Sequence, residues 1–251
     1  MATTPAATAA GTGGPLALVA ASASVLAVPE LGEHLLTPVE RERADRFRTA
    51  RLRDDFVAAH LLVRLCAARL LDVPVTVPVL EQYCPDCGQH GHGAPRLAGR
   101  PEVGLSMSHT TGAVAVAAGP GPVGVDVETT EKAPAPVELY DRVLTRAETA
   151  AVAAHTDPRL AFLRQWVRKE TLIKIGRATL DSMSGIDLSA LPLDVPAGPE
   201  PAQYRYEDLW LTDWADPRGG LLMTVAGARP ARIVTLGGPA RDRERSLSGP
   251  A

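Results

Sequence analysis

The chain has 251 residues, of which 45% are hydrophobic and 22% charged, as expected of a folded globular protein. Its formal net charge of −3 and its aromatic content of 4% argue against a non-specific nucleic-acid binder, which would carry a basic surplus and stacking aromatics. The cysteine count of 3 does not match the disulfide framework of a small secreted protein.

The N-terminal region carries the first structural signals. Residues 1–15 are small and rich in Gly and Pro, which predicts a disordered lead. The apolar run 17–28 has no Lys or Arg before it, so a signal peptide is disfavoured. It is also too short to span a bilayer. We therefore expect a buried strand over 16–28, no membrane association and a cytoplasmic protein.

The remaining elements follow in chain order. A helical pattern starts at Pro38 and is broken near Thr49–Arg51. The later pattern predicts loops and short strands over 74–101, strands over 104–128 with a hairpin at GPGP (119–122), a loop and helix around 137–154, a strong helix from Pro158 to about Gly176, strands over 203–236 and a frayed tail over 241–251.

Strands, a helix and strands again, seen once on each side of GPGP, predict an α+β fold of two similar halves. The halves are residues 16–119 and 120–240. Because both halves belong to one chain, a monomer can form its own cleft.

The stretch GVDVE (124–128) places two carboxylates on one face of a predicted strand. Side chains alternate along a strand, so Val123, Val125 and Val127 face the core while Asp126 and Glu128 point the other way. Their Cβ atoms would be about 7 Å apart, a spacing that suits one Mg²⁺ ion. The polar face of an ordinary strand is the alternative interpretation.

The stretch RKETLIK (168–174) is unusual in its lysines. Of the 26 basic residues only Lys132, Lys169 and Lys174 are lysines, and two of the three flank Glu170. Glu170 and Lys174 continue an apolar helical stripe that the pattern would otherwise bury. A surface ion pair stabilises too little to explain that placement, so the pattern favours a functional pair.

The stretch SMSHTTG (106–112) pairs a serine with a histidine, but neighbouring strand residues diverge. Ser108 and His109 are therefore not expected to form a nucleophile–base pair. A polar strand end that offers hydroxyl and imidazole donors to a phosphate is the better interpretation.

The loop CPDCGQHGH (84–92) contains a C-x-x-C half-site followed by His90 and His92. Cys and His are zinc ligands, but zinc fingers separate their half-sites by a dozen residues or more. A glycine-rich loop with incidental thiols is the favoured interpretation of Cys84 and Cys87, and zinc the alternative.

Together these segments resemble the Sfp-type 4′-phosphopantetheinyl transferases. Three motifs occur in order, namely a segment ending in S-x-S-H (GAPRLAGRPEVGLSMSHT), G-[VI]-D-[VI]-E (GVDVE) and W-x-x-K-E-x-x-x-K (WVRKETLIK), with RVLTRAE (142–148) between the last two. The resemblance implies two similar α/β halves that bind coenzyme A between them, with the active site in the cleft between the halves. It also implies transfer of the phosphopantetheine arm to a serine of an apo acyl- or peptidyl-carrier protein, with release of 3′,5′-ADP.

The resemblance also implies residue roles. Mg²⁺ would be held by Asp126 and Glu128, with Glu170 completing the set or reached through water, and Glu170 would be the general base. Lys174 would contact the pyrophosphate and stabilise the breaking phosphoanhydride, since an ammonium can also give up a proton. Lys169 is assigned to substrate binding or to shaping of the site.

Phosphate binding is expected from the first half of the chain. Arg43, Arg53, Ser108 and His109 would contribute, but HGAP departs from the family's H-G-[KR]-P because Ala94 replaces the basic residue. Arg96, two residues on, is expected to substitute.

Carrier proteins present acidic helices, so a basic rim that includes Arg142, Arg146, Arg164 or Arg168 would suit one. The Arg-, Ala- and Pro-rich composition suggests a GC-rich bacterial source. In such sources polyketide and nonribosomal peptide synthetases are common clients of the family that the chain resembles, so this pathway is expected by association. Two rival functions stay open: a nucleotide-pyrophosphate hydrolase, and a zinc-stabilised interaction module built on Cys84, Cys87, His90 and His92.

Overall fold

The structure is a computed structural model that describes residues 13–84, 87–132, 139–195, 200–216 and 220–237. Most of the predicted disordered lead and the predicted frayed tail lie outside these residues. The described strands are β1 (Leu16–Ala21), β2 (Leu80–Tyr83), β3 (His90–Leu97), β4 (Val103–Thr110), β5 (Ala113–Pro120), β6 (Gly124–Thr129), β7 (Ala202–Tyr206), β8 (Leu209–Asp216), β9 (Leu221–Gly227) and β10 (Arg232–Leu236). The α-helices are α1 (Ser22–Leu26), α2 (Pro38–Asp45), α3 (Ala50–Leu71), α4 (Tyr140–Val143), α5 (Arg146–Ala154) and α6 (Pro158–Lys174).

The strands form two sheets, which confirms the predicted α+β class. Sheet A has six strands in the order β10-β1-β5-β4-β3-β2, and sheet B has four in the order β6-β9-β8-β7. Neighbours are antiparallel except β10, which runs parallel to β1. β10 thus belongs to sheet A although it lies in the predicted C-terminal half. The division into two halves stays a prediction.

The layers follow from the alternation of buried side chains. One face of sheet A, with Leu18 and Val116, packs on α3. Its other face, with Val19 and Ala117, packs on sheet B. The cluster between the sheets contains Val125 and Val127 of β6 and Val123 just before that strand. The far face of sheet B carries α6 through apolar contacts such as those of Val167 and Leu172. The side-chain alternation predicted for GVDVE is therefore confirmed on the valine side.

Two helix predictions are confirmed by capping. The break near Thr49 separates α2 from α3, and the Thr49 hydroxyl accepts the Leu52 N–H at the start of α3. α6 begins at Pro158 behind Asp157, whose carboxylate accepts the Leu160 N–H at 3.0 Å. None of the helices in the described ranges combines the length and apolar character that crossing a bilayer requires.

Two strand predictions are wrong in detail. The strand predicted over 16–28 ends at Ala21, because Ser22–Leu26 form α1 and the Ser22 hydroxyl donates to buried Asp55 at 2.5 Å. The hairpin predicted at GPGP lies instead at Thr111–Gly112, between β4 and β5. GPGP instead links β5 of sheet A to β6 of sheet B. β6 does not pair with β5; its valines are buried because they face sheet A.

A buried ion pair fixes α6 relative to its neighbours. Lys169 and Glu148 are both fully buried, and the ammonium donates to Glu148 Oε2 at 2.6 Å and to two backbone carbonyls, those of Val143 and Ile186, at 2.7 Å. Glu148 also caps α5 through the Thr145 N–H. The three donors of an ammonium thus meet acceptors from three different segments. Burial lowers the pKa of Lys169, and the hydrogen bond and charge of Glu148 oppose that shift.

Replacing Lys169 with methionine should lower the free energy of unfolding by about 3–5 kcal/mol, because the Glu148 carboxylate would stay buried without its countercharge. Urea denaturation followed by circular dichroism measures the loss. The control is Arg177→Met, which breaks an exposed 2.6 Å pair with Asp208 and should cost far less. Equal losses in the two variants would contradict the role assigned to Lys169.

Candidate active site

The site begins where α6 lies against β6. A Cβ atom on Gly124 would stand 2.4 Å from the carbonyl oxygen of Thr171, so only glycine lets the helix come this close. The Thr171 hydroxyl donates to Val167 O at 2.8 Å and to Thr224 O of β9 at 3.2 Å, which ties the helix to the sheet. This contact brings Glu170 and Lys174, one helical turn apart, over the carboxylate face of β6.

Asp126 is the most enclosed carboxylate of the site, with 6% of its surface exposed. Its Oδ1 accepts from the Ser108 hydroxyl at 2.7 Å and from the Lys174 ammonium at 2.8 Å. Lys174 also donates to the Val125 carbonyl at 2.9 Å. Asp126 Oδ2 is buried and has no hydrogen-bond partner within the described protein. A buried carboxylate oxygen without a donor is costly, so this atom is suited to a ligand from outside the protein.

Glu128 and Glu170 complete the acidic group. Glu128 Oε2 accepts from the Thr110 hydroxyl at 2.8 Å. Burial raises the pKa of Glu170, the Asp126 charge raises it further and Glu128 adds a smaller contribution, while Lys174 opposes them. The three carboxylates therefore act on one another electrostatically. They are not a tight cluster: among the described residues, only Cys84, Cys87 and His92 form a group of three or more potential ligands within 4.8 Å of one another.

A row of hydroxyls on β4 holds this acidic strand in place. Ser106 Oγ accepts the Val125 N–H at 3.0 Å, and the next two hydroxyls along the same face, those of Ser108 and Thr110, donate to Asp126 and Glu128. Sequence reasoning did not identify Ser106 or Thr110 as site residues. Their signal is the S-x-S-x-T alternation, which places three hydroxyls on one face of a strand.

The phosphate-binding interpretation of SMSHTTG is only partly compatible with this arrangement. Ser108 is 8% exposed and its hydroxyl proton is directed to Asp126, so its observed role is to orient a carboxylate. His109 points to the opposite, exposed side of β4. The prediction that Ser108 and His109 diverge is confirmed. His109 keeps its predicted role in phosphate binding as a proposal.

The arginines predicted to bind phosphate have different partners. Arg43 donates to Gly91 O at 2.7 Å and lies over the Phe56 ring, 5.5 Å from its centre. Arg53 forms a bidentate pair with Glu33, with both contacts at 2.8 Å. Arg96 is exposed on β3, opposite Glu81 of β2. A phosphate would have to compete with Glu33 for Arg53, whereas the side chain of Arg96 is exposed to solvent.

Two predictions about basic residues need correction. Lys169 is fully buried by Glu148 and backbone carbonyls, so of its two predicted roles the structure favours shaping of the site, by positioning α6, over substrate binding. Arg164 and Arg168, placed on a carrier-binding rim, are fully buried as well. Arg168 donates to Asp213 Oδ2 at 2.7 Å, and Arg164 Nη1 lies 3.6 Å from the same atom. Both helical positions face sheet B, which the charge of an arginine alone does not reveal.

One comparison with known proteins bears on this site. Residues 122–219 match the model of the 4′-phosphopantetheinyl transferase superfamily. The matched region contains Asp126, Glu128, Glu170 and Lys174, the residues gathered between β6 and α6. No curated protein matches the chain. The match supports the superfamily and, with it, phosphopantetheinyl transfer in general. It does not distinguish the Sfp type from other members.

Replacing Glu170 with glutamine should raise the free energy of unfolding at neutral pH in metal-free buffer. The raised pKa means that the folded state holds this proton more tightly than the unfolded state does. The resulting stability is present below the pKa of an unfolded glutamate and is lost as the pH rises through the folded value. The extra stability of Glu170→Gln over the unchanged protein should therefore grow as the pH rises through that range.

Urea denaturation with a chelator present, at acid and at neutral pH, measures this gain. Exposed Glu131→Gln is the matched control and should leave the pH dependence unchanged. A Glu170→Gln protein that is no more stable than the unchanged protein at neutral pH would contradict the electrostatic account.

Proposed function

We propose that this protein transfers the 4′-phosphopantetheine arm of coenzyme A to a serine of an apo acyl- or peptidyl-carrier protein and releases 3′,5′-ADP. The observation that carries the proposal is the grouping of Asp126, Glu128, Glu170 and Lys174 between β6 and α6, within the region that matches the superfamily. The Sfp type, the cytoplasmic location, action as a monomer and a client in polyketide or nonribosomal peptide biosynthesis are parts of the same proposal.

The acidic residues fit a divalent metal. Carboxylate oxygens are the ligands that Mg²⁺ prefers in proteins, and Asp126 Oδ2 is buried without a donor. Burial is the largest cause of the raised pKa of Glu170, and the negative charge of Asp126 adds to it; a cation would relieve both by stabilising the ionised carboxylate. We therefore assign Asp126, Glu128 and Glu170, directly or through water, as the Mg²⁺ ligands. When bound, the ion would neutralise charge on the pyrophosphate of coenzyme A.

The reaction itself is a displacement at phosphorus. A bond forms between the carrier serine oxygen and the β-phosphorus, and the bond from that phosphorus to the oxygen that bridges the two phosphates breaks. The serine proton goes to Glu170, and the released oxygen leaves as part of 3′,5′-ADP. A raised pKa suits Glu170 to this task, because a general base works best when its pKa lies near the operating pH.

Lys174 would act on the leaving side. Its ammonium already lies at the acidic group, 2.8 Å from Asp126 Oδ1, and its side chain is 26% exposed, so it can also reach a ligand in the cleft. There it would stabilise charge on the bridging oxygen and could supply a proton, which a guanidinium cannot do at ordinary pH. This role requires a lysine, and it accounts for a lysine at position 174 in a chain whose basic residues are otherwise almost all arginines.

The carrier protein would approach the α4–α5 side of the cleft. Arg142 and Arg146 are both exposed there, so they remain candidates for a rim that meets an acidic helix. The buried Arg164 and Arg168 are excluded from that rim.

A nucleotide-pyrophosphate hydrolase is the second candidate, because the same carboxylates and lysine suit attack by water. The two functions differ in one observable: only the hydrolase releases 3′,5′-ADP from coenzyme A when no carrier protein is present. Incubation with coenzyme A and Mg²⁺, with and without an apo carrier, separates them.

Asp126→Asn should abolish transfer while the fold is retained, because the amide keeps the shape of the side chain but removes a metal-binding charge. The readout is the mass of the carrier protein after incubation with coenzyme A and Mg²⁺, which gains one phosphopantetheine group if transfer occurs. Exposed Asp181→Asn serves as the matched control and should retain activity. Thermal unfolding checks that both variants are folded, and transfer by Asp126→Asn at the unchanged rate would refute the metal assignment.

Arg96→Ala should reduce the preference for coenzyme A over dephospho-coenzyme A. Positions 94 and 96 of β3 share one strand face, so Arg96 can replace the basic residue that Ala94 lacks. Loss of one charge-assisted hydrogen bond to the 3′-phosphate should lower the ratio of the two kcat/KM values roughly tenfold or more. Arg100→Ala is the control. An unchanged ratio in Arg96→Ala would rule out the compensation.

A further inference from the structure

The loop between β2 and β3 brings three metal-binding side chains together. The ligand atoms of Cys84, Cys87 and His92 all lie within 4.8 Å of one another, and Cys87 Sγ is 3.1 Å from His92 Nε2. Both cysteines are free of disulfides. We propose that this loop is a zinc site, separate from the carboxylate site between β6 and α6 and independent of the proposed transfer function.

The backbone holds the two thiols in a tight turn. The Gly88 N–H donates to Cys84 O at 2.9 Å, and the Cys84 N–H donates to Gln89 O at the same distance. Gly88 has φ +71°, in the left-handed region that favours glycine, so the turn needs it. These two hydrogen bonds, on either side of the cysteine pair, let one short segment present both sulfur atoms, which is the usual half-site for zinc.

The return of His92 to this turn depends on an irregular strand. Gly91 has φ +87°, and a Cβ atom there would stand 2.4 Å from Val39 Cγ1 of α2. The chain therefore lies directly against α2 and carries His92 back to the thiols within five residues of Cys87. The sequence favoured incidental thiols because zinc fingers place their second half-site a dozen residues away. In the structure the β2–β3 hairpin supplies a ligand locally.

The donor set selects zinc over the hard ions. Two sulfur atoms and one imidazole nitrogen suit a borderline-soft ion and are poor ligands for Mg²⁺. As each sulfur–zinc bond forms, the thiol gives its proton to solvent, and His92 binds through unprotonated Nε2. His90 is outside the group of ligand atoms that lie within 4.8 Å of one another, and its ring instead lies 5.3 Å from that of Tyr83. Water would fill the fourth tetrahedral position.

The site would fix one wall of a cavity of about 330 Å³. His92 and Gly91 line that cavity together with Arg43 and Arg46, and Arg43 donates to Gly91 O at 2.7 Å. A metal that holds His92 to the C-x-x-C turn thus holds the carbonyl that positions Arg43. The zinc would hold the loop together through three protein ligands, and its loss should loosen the β2–β3 loop without removing any residue of the carboxylate site.

Zinc content is the direct test. The full chain is purified under reducing conditions, supplied with Zn²⁺ and passed over a chelating resin, and bound metal is measured by mass spectrometry of the elements. We expect about one zinc per chain, near-complete loss in Cys87→Ser and in His92→Ala, and retention in the neighbouring control His90→Ala. Replacement by Co²⁺ should give the intense visible absorption of a tetrahedral thiolate site, and the same two variants should lack it.

A second measurement does not depend on every variant being folded, because it first compares the unchanged protein with and without a chelator. A strong chelator should lower the melting temperature of the unchanged protein and of His90→Ala, but not that of Cys87→Ser. The proposal is overturned if the unchanged protein retains no zinc, or if Cys87→Ser retains as much. It is equally overturned if the reduced protein converts to a Cys84–Cys87 disulfide, with a mass lower by two hydrogens, in the presence of Zn²⁺.

Discussion

The ammonium of Lys169 is the contact on which the second half of the molecule depends. It joins α6 to the cap of α5 through Glu148 and to the segments that contain Val143 and Ile186. A buried ion pair is tolerated only when its remaining donors and acceptors are satisfied, and here the Leu188 N–H also donates to Glu148, at 2.8 Å. A compact ammonium can meet acceptors from three directions, whereas a planar guanidinium cannot without rearrangement. One of the two lysines beside Glu170 thus has an architectural reason, and the other lies at the site itself.

The carboxylates are held by the packing of the two sheets. Asp126 and Glu128 belong to sheet B, but the hydroxyls that orient them come from β4 of sheet A. Any change in the way the sheets pack would therefore shift the acidic group directly. The raised pKa of Glu170 shows the energetic cost of this arrangement, because burial and then the nearby charge of Asp126 disfavour its ionised form. Such strain is characteristic of sites that are organised before their ligand arrives.

Sequence reasoning succeeded where one periodic signal decides the outcome. The stripe of α6 gave its bounds to within two residues, and the alternation of GVDVE placed Val125 and Val127 in the core. It failed where an outcome depends on contacts between distant segments. Burial of Arg164 and Arg168 depends on Asp213 of β8, and the position of GPGP depends on which sheet β6 joins. The hydroxyl row on β4 could have been found from its alternation, but its partners could not.

The parallel pairing of β10 with β1 has a consequence for synthesis of the chain. β1 is almost fully buried and lies between β5 and β10, so in the part of the chain that the structure describes its outer edge is paired with residues 232–236. A nascent chain that has emerged as far as β9 would leave that edge open. The first sheet to appear from the ribosome is thus the last to be finished, and until then its exposed backbone is a place where another unfinished chain could add a strand.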